Sequence, residues 1–130
     1  MRKQYHFWPG AHGFDAWDVD RLIQLTAGLA VVDVPVASIS EVETVYWFNG
    51  GDDDLPTVRS IVGHIRLIQE VDPSYPVILG SDGRVMDGMH RIARAMLDGR
   101  PTIPAIRFAT DPEPDHRNCR PDDLPYPDRP

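Results

Sequence analysis

Asp87, His90, Arg91 and Arg94 fall within the stretch "DGMHRIAR", at the point where strand-like spacing gives way to helical spacing at Gly88. An acid, an imidazole and two guanidiniums at the first turn of a helix are groups that handle phosphate. Backbone N–H groups left unpaired at a helix start, together with the helix dipole, favour an anion there, and His90 or Arg91 adds charge-assisted hydrogen bonds. Gly88 lets the backbone turn sharply, so that the amides of Met89, His90 and Arg91 come close to a ligand. Arg94 lies one helical turn beyond His90 and Arg91 and so beside both on the helix surface. For Asp87 the spacing leaves three roles open: it orients His90 or Arg91, it holds Mg²⁺ on the phosphate, or it caps the helix while the arginines face water.

The elements that must position these groups are short. "YPVILGSDGRVMDG" is two apolar runs about Gly80-Ser81-Asp82-Gly83, which predicts a β-hairpin ending at Asp87. Met89 to Asp98 follows as a helix with Ile92, Ala95 and Met96 inward and Gly99 just past its end. "TIPAIRF" then returns as a strand. Upstream, Val58, Ile61, Val62, Ile65 and Ile68 recur at a helical period, started by Pro56 or Thr57 and stopped by Asp72-Pro73. "VVDVPVASI" is a β-branched strand that Pro35 keeps near a sheet edge. A first helix is expected over roughly 18–28, with Asp18 as N-cap and Leu22, Leu25 and Leu29 on one stripe. The fold class expected is α+β, a small mixed sheet whose hairpin leads into a phosphate-binding helix, with helices packed around it.

Three segments follow from this division. Residues 1–30 are an aromatic segment and helix packed on the core, 31–108 the main domain, and 109–130 a tail. The tail is rich in proline and acid and has no apolar period, so it is expected to be disordered or draped over the surface. Between strand and helix, "SEVETVYWFNGGDDDLP" reads as a long loop. Its Asp52, Asp53 and Asp54 are either a solvated turn or oxygen ligands for Mg²⁺. His6, Trp8, His12, Phe14, Tyr46, Trp47 and Phe48 supply aromatic surface that either walls a pocket, stacking on a base, or packs the N-terminal segment. His64, among apolar neighbours in its helix, is expected to be a hydrogen-bonded structural histidine.

Composition narrows the function classes. At 130 residues and 42% hydrophobic, the chain holds one core. A net charge of −7 disfavours broad electrostatic binding to nucleic acid or anionic membranes, so nucleic acid is not expected without a partner protein. No run is apolar over a membrane-spanning length, and the N-terminal residues lack the apolar stretch of a secretory signal, so no membrane association and a cytoplasmic location are expected. Cys119 stands alone, which leaves no disulfide framework and no cysteine zinc site, and His6 and His12 match no zinc spacing. The basic residues are arginines apart from Lys3, which suits bidentate contacts to phosphate or carboxylate. Composition and spacing say nothing about the oligomeric state.

The run Pro76 to Phe108, "PVILGSDGRVMDGMHRIARAMLDGRPTIPAIRF", resembles the core of the ParB/sulfiredoxin superfamily. The likeness lies in a hairpin, a glycine-led polar motif opening a helix, a glycine, and an "IPA" strand. "VPVASI" is similar to the family's first strand and "PTVRSIVGHIRLIQEVD" to the helix before the hairpin, so the resemblance spans about residues 31–108. "DGMHR" is similar to the DGxHR motif of several branches, among them an ADP-dependent free serine kinase and proteins linked to DNA phosphorothioation. The resemblance implies that Gly88, Met89, His90 and Arg91 cradle nucleotide phosphates, with ATP, ADP or CTP and Mg²⁺ as the expected cofactors. Met89 stands where sulfiredoxins carry their catalytic cysteine, which excludes sulfinic-acid repair by that chemistry. Kinase-like members use a carboxylate after the first strand to activate a hydroxyl; here "SISEVET" offers Glu41 and Glu43, of which Glu41 is nearer the strand end. The resulting expectations are a Mg²⁺-dependent phosphotransferase or NTP hydrolase, with Glu41, Glu43, Asp87 and His90 as catalytic candidates, or a non-catalytic module binding a nucleotide or phosphorylated small molecule. A ParB-like DNA-associated protein or nuclease is the reading that the charge disfavours.

Overall fold

The N-terminal aromatics alternate, and alternation makes a strand pair of them. In the computed structural model, which describes residues 3–48 and 55–127, β1 (Tyr5–Pro9) runs antiparallel to β2 (Phe14–Asp18), with Tyr5 opposite Asp18 and Pro9 opposite Phe14. The period of two sends His6 and Trp8 to one face, where their rings meet at 4.8 Å, and Tyr5 and Phe7 to the other. This hairpin was not anticipated from the sequence. Asp18 caps α1 (Val19–Leu25) by accepting from the Asp20 N–H at 2.9 Å. The helix is shorter than the expected 18–28, because Thr26 ends it and turns its hydroxyl onto the Ile23 carbonyl at 2.6 Å. Leu22 is fully buried, while Leu25 and Leu29 remain exposed.

The larger sheet has the order β3-β6-β4-β5, built from β3 (Val32–Pro35), β4 (Val77–Leu79), β5 (Val85–Asp87) and β6 (Thr102–Arg107). β3 lies at an edge, as Pro35 requires. β4 and β5 form the expected hairpin. α3 (Met89–Leu97) carries the chain from β5 to β6, which pairs parallel to β4, a geometry that needs such a crossover. Both faces of this sheet are covered, and its central strands accordingly read as continuous apolar runs. One face packs Val77, Leu79, Val85, Ile103 and Ala105 against Met89, Ile92 and Ala95 of α3. The other packs Ile78, Met86 and Phe108 against Trp17, Leu22 and Trp8 of the N-terminal hairpin and α1. The chain is thus a small mixed α+β domain with three α-helices and two sheets among the described residues.

Residues 109–127, expected to be a disordered or surface-draped tail, carry a strand and hydrogen bonds to the N-terminal segment. β7 (His116–Cys119) adds a third strand to the N-terminal hairpin, in the order β1-β2-β7. The Trp17 indole donates to the Pro112 carbonyl at 2.8 Å, Arg21 donates to the Glu113 carbonyl at 2.8 Å, and Leu124 is buried. Backbone and side-chain hydrogen bonds to the N-terminal segment thus supply the order that an apolar period would have supplied.

α2 (Val58–Glu70) starts as expected, with Thr57 Oγ1 accepting from the Ser60 N–H at 3.1 Å. It buries none of its residues, and Val58, Ile61, Val62 and Ile65 all stay exposed. The helix leans on α3 through polar groups instead. Arg94 donates to the Gln69 carbonyl at 2.9 Å and the Ile68 carbonyl at 3.4 Å, and His64 meets His90. No described helix is long and apolar enough to cross a membrane.

Candidate functional site

β5 ends at Asp87, and Gly88 turns the chain into α3 with φ +112° and no side-chain cap. That φ belongs to the left-handed side of the backbone map, which favours glycine. A Cβ on Gly88 would also lie 2.6 Å from Val77 Cγ1, so nothing larger fits against β4. The first-turn amides of Met89, His90 and Arg91 have no intrahelical acceptor. These three residues and Gly88 line a cavity of about 650 Å³ together with Tyr5, Tyr46, Trp47 and Asp87. Met89 itself is buried and packs in the core between sheet and α3.

The two arginines expected to hold phosphate are both engaged by the protein itself. Arg91 lines the cavity, yet its guanidinium donates to Asp87 Oδ2 at 2.7 Å and to the Pro76 carbonyl at 2.7 Å. It ties the start of α3 to β5 and to the approach to β4. Arg94 is not among the cavity's lining residues: one nitrogen reaches the last carbonyls of α2 and another binds Asp98 at 3.0 Å. Its place on the helix surface is where the spacing put it, but α2 occupies the space in front of it. Lys3, another lining cation, is paired with Asp18 at 2.8 Å and Asp20 at 3.2 Å.

His90 Nε2 and His64 Nδ1 are 2.8 Å apart, so one imidazole donates to the other. Trp47 stacks on both, at 4.5 Å from His64 and 4.7 Å from His90. Burial, and then the neighbouring His64, push His90 down to about 4. At pH 7 it is therefore a neutral hydrogen-bonding group rather than a cation. Burial and the charges of Glu41 and Asp87 push the Tyr46 hydroxyl up to about 12, although the residue keeps 37% of its surface exposed. His6 is pushed down to about 4, chiefly by burial, and its Nε2 has no hydrogen-bond partner among the described residues.

Neither expected base reaches the cavity. Glu41, in the short turn Ser40–Glu43, accepts from the Val85 N–H of β5 at 2.6 Å through Oε1, and Glu43 is exposed. Asp87 is the one carboxylate among the described lining residues. Asp52, Asp53 and Asp54 lie outside the described residues. The groups brought together are therefore Asp87, Gly88, Met89, His90 and Arg91, with Tyr46 and Trp47 as aromatic wall. His6 was among the aromatics offered for a pocket wall, whereas sequence reasoning missed Lys3 and Tyr5 as lining residues and the His64–His90 pair. The alternation of Tyr5 to Trp8 before "PGAHG" was the available signal for Tyr5, whereas no local pattern announces a contact between two helices. Comparison with family models, with curated proteins and with solved structures finds no match to this chain.

Proposed function

We propose that this chain binds a nucleotide or a phosphorylated small molecule, with phosphate on the first turn of α3 and the ring against the aromatic wall. The observation that carries this reading is the uncapped helix start at Gly88 opening on a cavity large enough for such a ligand. Backbone amides and the helix dipole supply the attraction, since Arg91 and Lys3 are already paired and His90 is neutral. Tyr5, Tyr46 and Trp47 offer ring surface for a base. The finer fold assignment, a ParB/sulfiredoxin-like unit over 31–108, belongs to the same proposal. The hairpin running through Gly88 into α3 and the parallel return of β6 beside β4 support it.

Binding is better supported than phosphoryl transfer. A Mg²⁺ ion arriving with ATP, ADP or CTP is held mainly by phosphate oxygens and needs one or two carboxylates. Asp87 fits that need as a single donor group, although one of its oxygens is engaged by Arg91. Glu41 and Glu43 are not among the lining residues, so a hydroxyl placed there would have Asp87, His90 or His6 among the described residues to take its proton.

The test is a titration of the ¹⁵N-labelled chain with ATP, ADP, CTP, pyrophosphate and phosphate, with and without Mg²⁺. The amide signals of Met89, His90 and Arg91 are expected to move most, and the melting temperature to rise with ligand concentration. Ligand at about a hundred times Kd adds about 2.7 kcal/mol. Amides that stay fixed at millimolar concentrations of every one of these ligands would overturn the reading.

A further inference from the structure

On the other side of Tyr46 and Trp47 lies a second, smaller cavity of about 270 Å³. Three consecutive aromatic residues, Tyr46, Trp47 and Phe48, wall it together with Met89 and Met96 of α3. Among the described residues, Glu41 is its only charged lining residue. The centroids of His64 and His90 are just 5.1 Å apart while both stack on Trp47, so the imidazole pair covers one face of the indole only.

Glu41 is incompletely compensated. One oxygen accepts the Val85 N–H, and no cation among the described residues forms an ion pair with it. Arg84, the cation whose charge it feels, is bound to Asp82 at 2.6 Å and lies 3.9 Å above the Trp8 ring. Burial raises the pKa of the Glu41 carboxyl, and the Val85 N–H and the Arg84 charge offset this only in part.

A carboxylate among aromatic rings selects a particular guest. A neutral apolar group would desolvate the charge further without compensating it, and an anion would be repelled. A hard metal ion needs several oxygen ligands, and the described residues of these walls supply one carboxylate. A soft organic cation satisfies both features, since the electron-rich ring faces attract it and its alkyl groups bury apolar surface. We propose that this pocket binds an alkylated ammonium headgroup, from either a free small quaternary amine or a methylated lysine side chain. The volume admits the headgroup alone, being smaller than the roughly 300–1,000 Å³ of sites that enclose whole drug-sized ligands.

The experiment titrates the full chain with choline and with 3,3-dimethyl-1-butanol, its uncharged isostere, following the Trp47 indole N–H by NMR. Choline is expected to bind about tenfold or more tightly than the isostere, and Glu41→Gln to remove about that factor. The glutamine can still accept the Val85 N–H, so the variant tests charge and leaves the backbone contact in place. If it does not fold, the comparison of choline with its isostere on the unmodified chain decides the matter. Equal affinity for the two, unchanged choline affinity in a folded Glu41→Gln, or no response up to about 50 mM choline would overturn the proposal, since that range covers even weak sites. A trimethyl-lysine peptide that binds more tightly than choline, with the unmodified peptide silent, supports the proposal and assigns the headgroup to a protein. Choline binding with a silent trimethyl-lysine peptide supports it and assigns the headgroup to a small molecule. Neither probe carries phosphate, so this result stands apart from that at the Gly88 cavity.

Discussion

Replacing Gly88 with alanine tests whether the helix start is built as described. The added methyl meets two separate penalties. At φ +112° a residue with a Cβ is strained by roughly 1–2 kcal/mol. The Cβ would also sit 2.6 Å from Val77 Cγ1 and 2.9 Å from Val77 Cβ, inside a core strand with little room to yield, and such overpacking costs typically about 1–3 kcal/mol. The expected loss is therefore about 2–5 kcal/mol, a large part of the 5–15 kcal/mol that holds a typical domain. Urea unfolding followed by tryptophan fluorescence reads it. Gly83→Ala is the control, because φ there is +89° but no atom lies within 4 Å of the added Cβ, so only the strain of roughly 1–2 kcal/mol applies. Combining Gly88→Ala with Val77→Ala removes the nearest clashing carbon, and the pair is expected to be less destabilised than the sum of the single changes by about 1 kcal/mol. A Gly88→Ala protein no less stable than Gly83→Ala would refute the close packing of Gly88 on β4, and with it the geometry of the helix start.

Two further outcomes follow from other parts of the molecule. His6 is about 4 in the folded chain against an ordinary 6.5, so the unfolded chain takes up the extra proton and stability falls as the pH drops from 6.5 towards 4. Between pH 7 and pH 5 this costs about 2 kcal/mol, with His90 adding a smaller loss of the same sign, and His6→Phe is expected to flatten the His6 part in urea titrations at the two pH values. Arg94→Met removes the donor to the last carbonyls of α2, and hydrogen exchange of the α2 amides is expected to quicken about tenfold while the amides of β4 and β6 keep their protection.

The parts of the fold that could be read in the sequence are those whose signals are local. Gly80 to Gly83 between two apolar runs specified the β4–β5 hairpin, Thr57 and Asp18 marked two helix starts, and Pro35 placed β3 at an edge. The parts that could not be read are set by partners distant in sequence. Whether Val58, Ile61, Val62 and Ile65 face a core depends on what lies opposite, and here nothing among the described residues buries them. The tail has no pattern of its own and takes its order from Trp17, Arg21 and β2, about ninety positions earlier. At the site, the glycine-led helix start was legible because a strand-to-helix switch is a local event. The commitments of Arg91 to the Pro76 carbonyl and of Arg94 to α2 were hidden, because a side chain's spacing fixes the direction it leaves the helix and says nothing of which carbonyl waits there.

α2 supplies Leu67 and Val71 to the rim of the Gly88 cavity while contributing nothing to the interior. A helix of 13 residues is marginal by itself in water, where isolated helices shorter than about 12–15 residues rarely persist. Its order depends on a few polar fastenings to α3, and these can release while both sheets remain intact. Detaching α2 uncovers none of its own residues from the interior, so its release is expected to cost less than unfolding the whole chain.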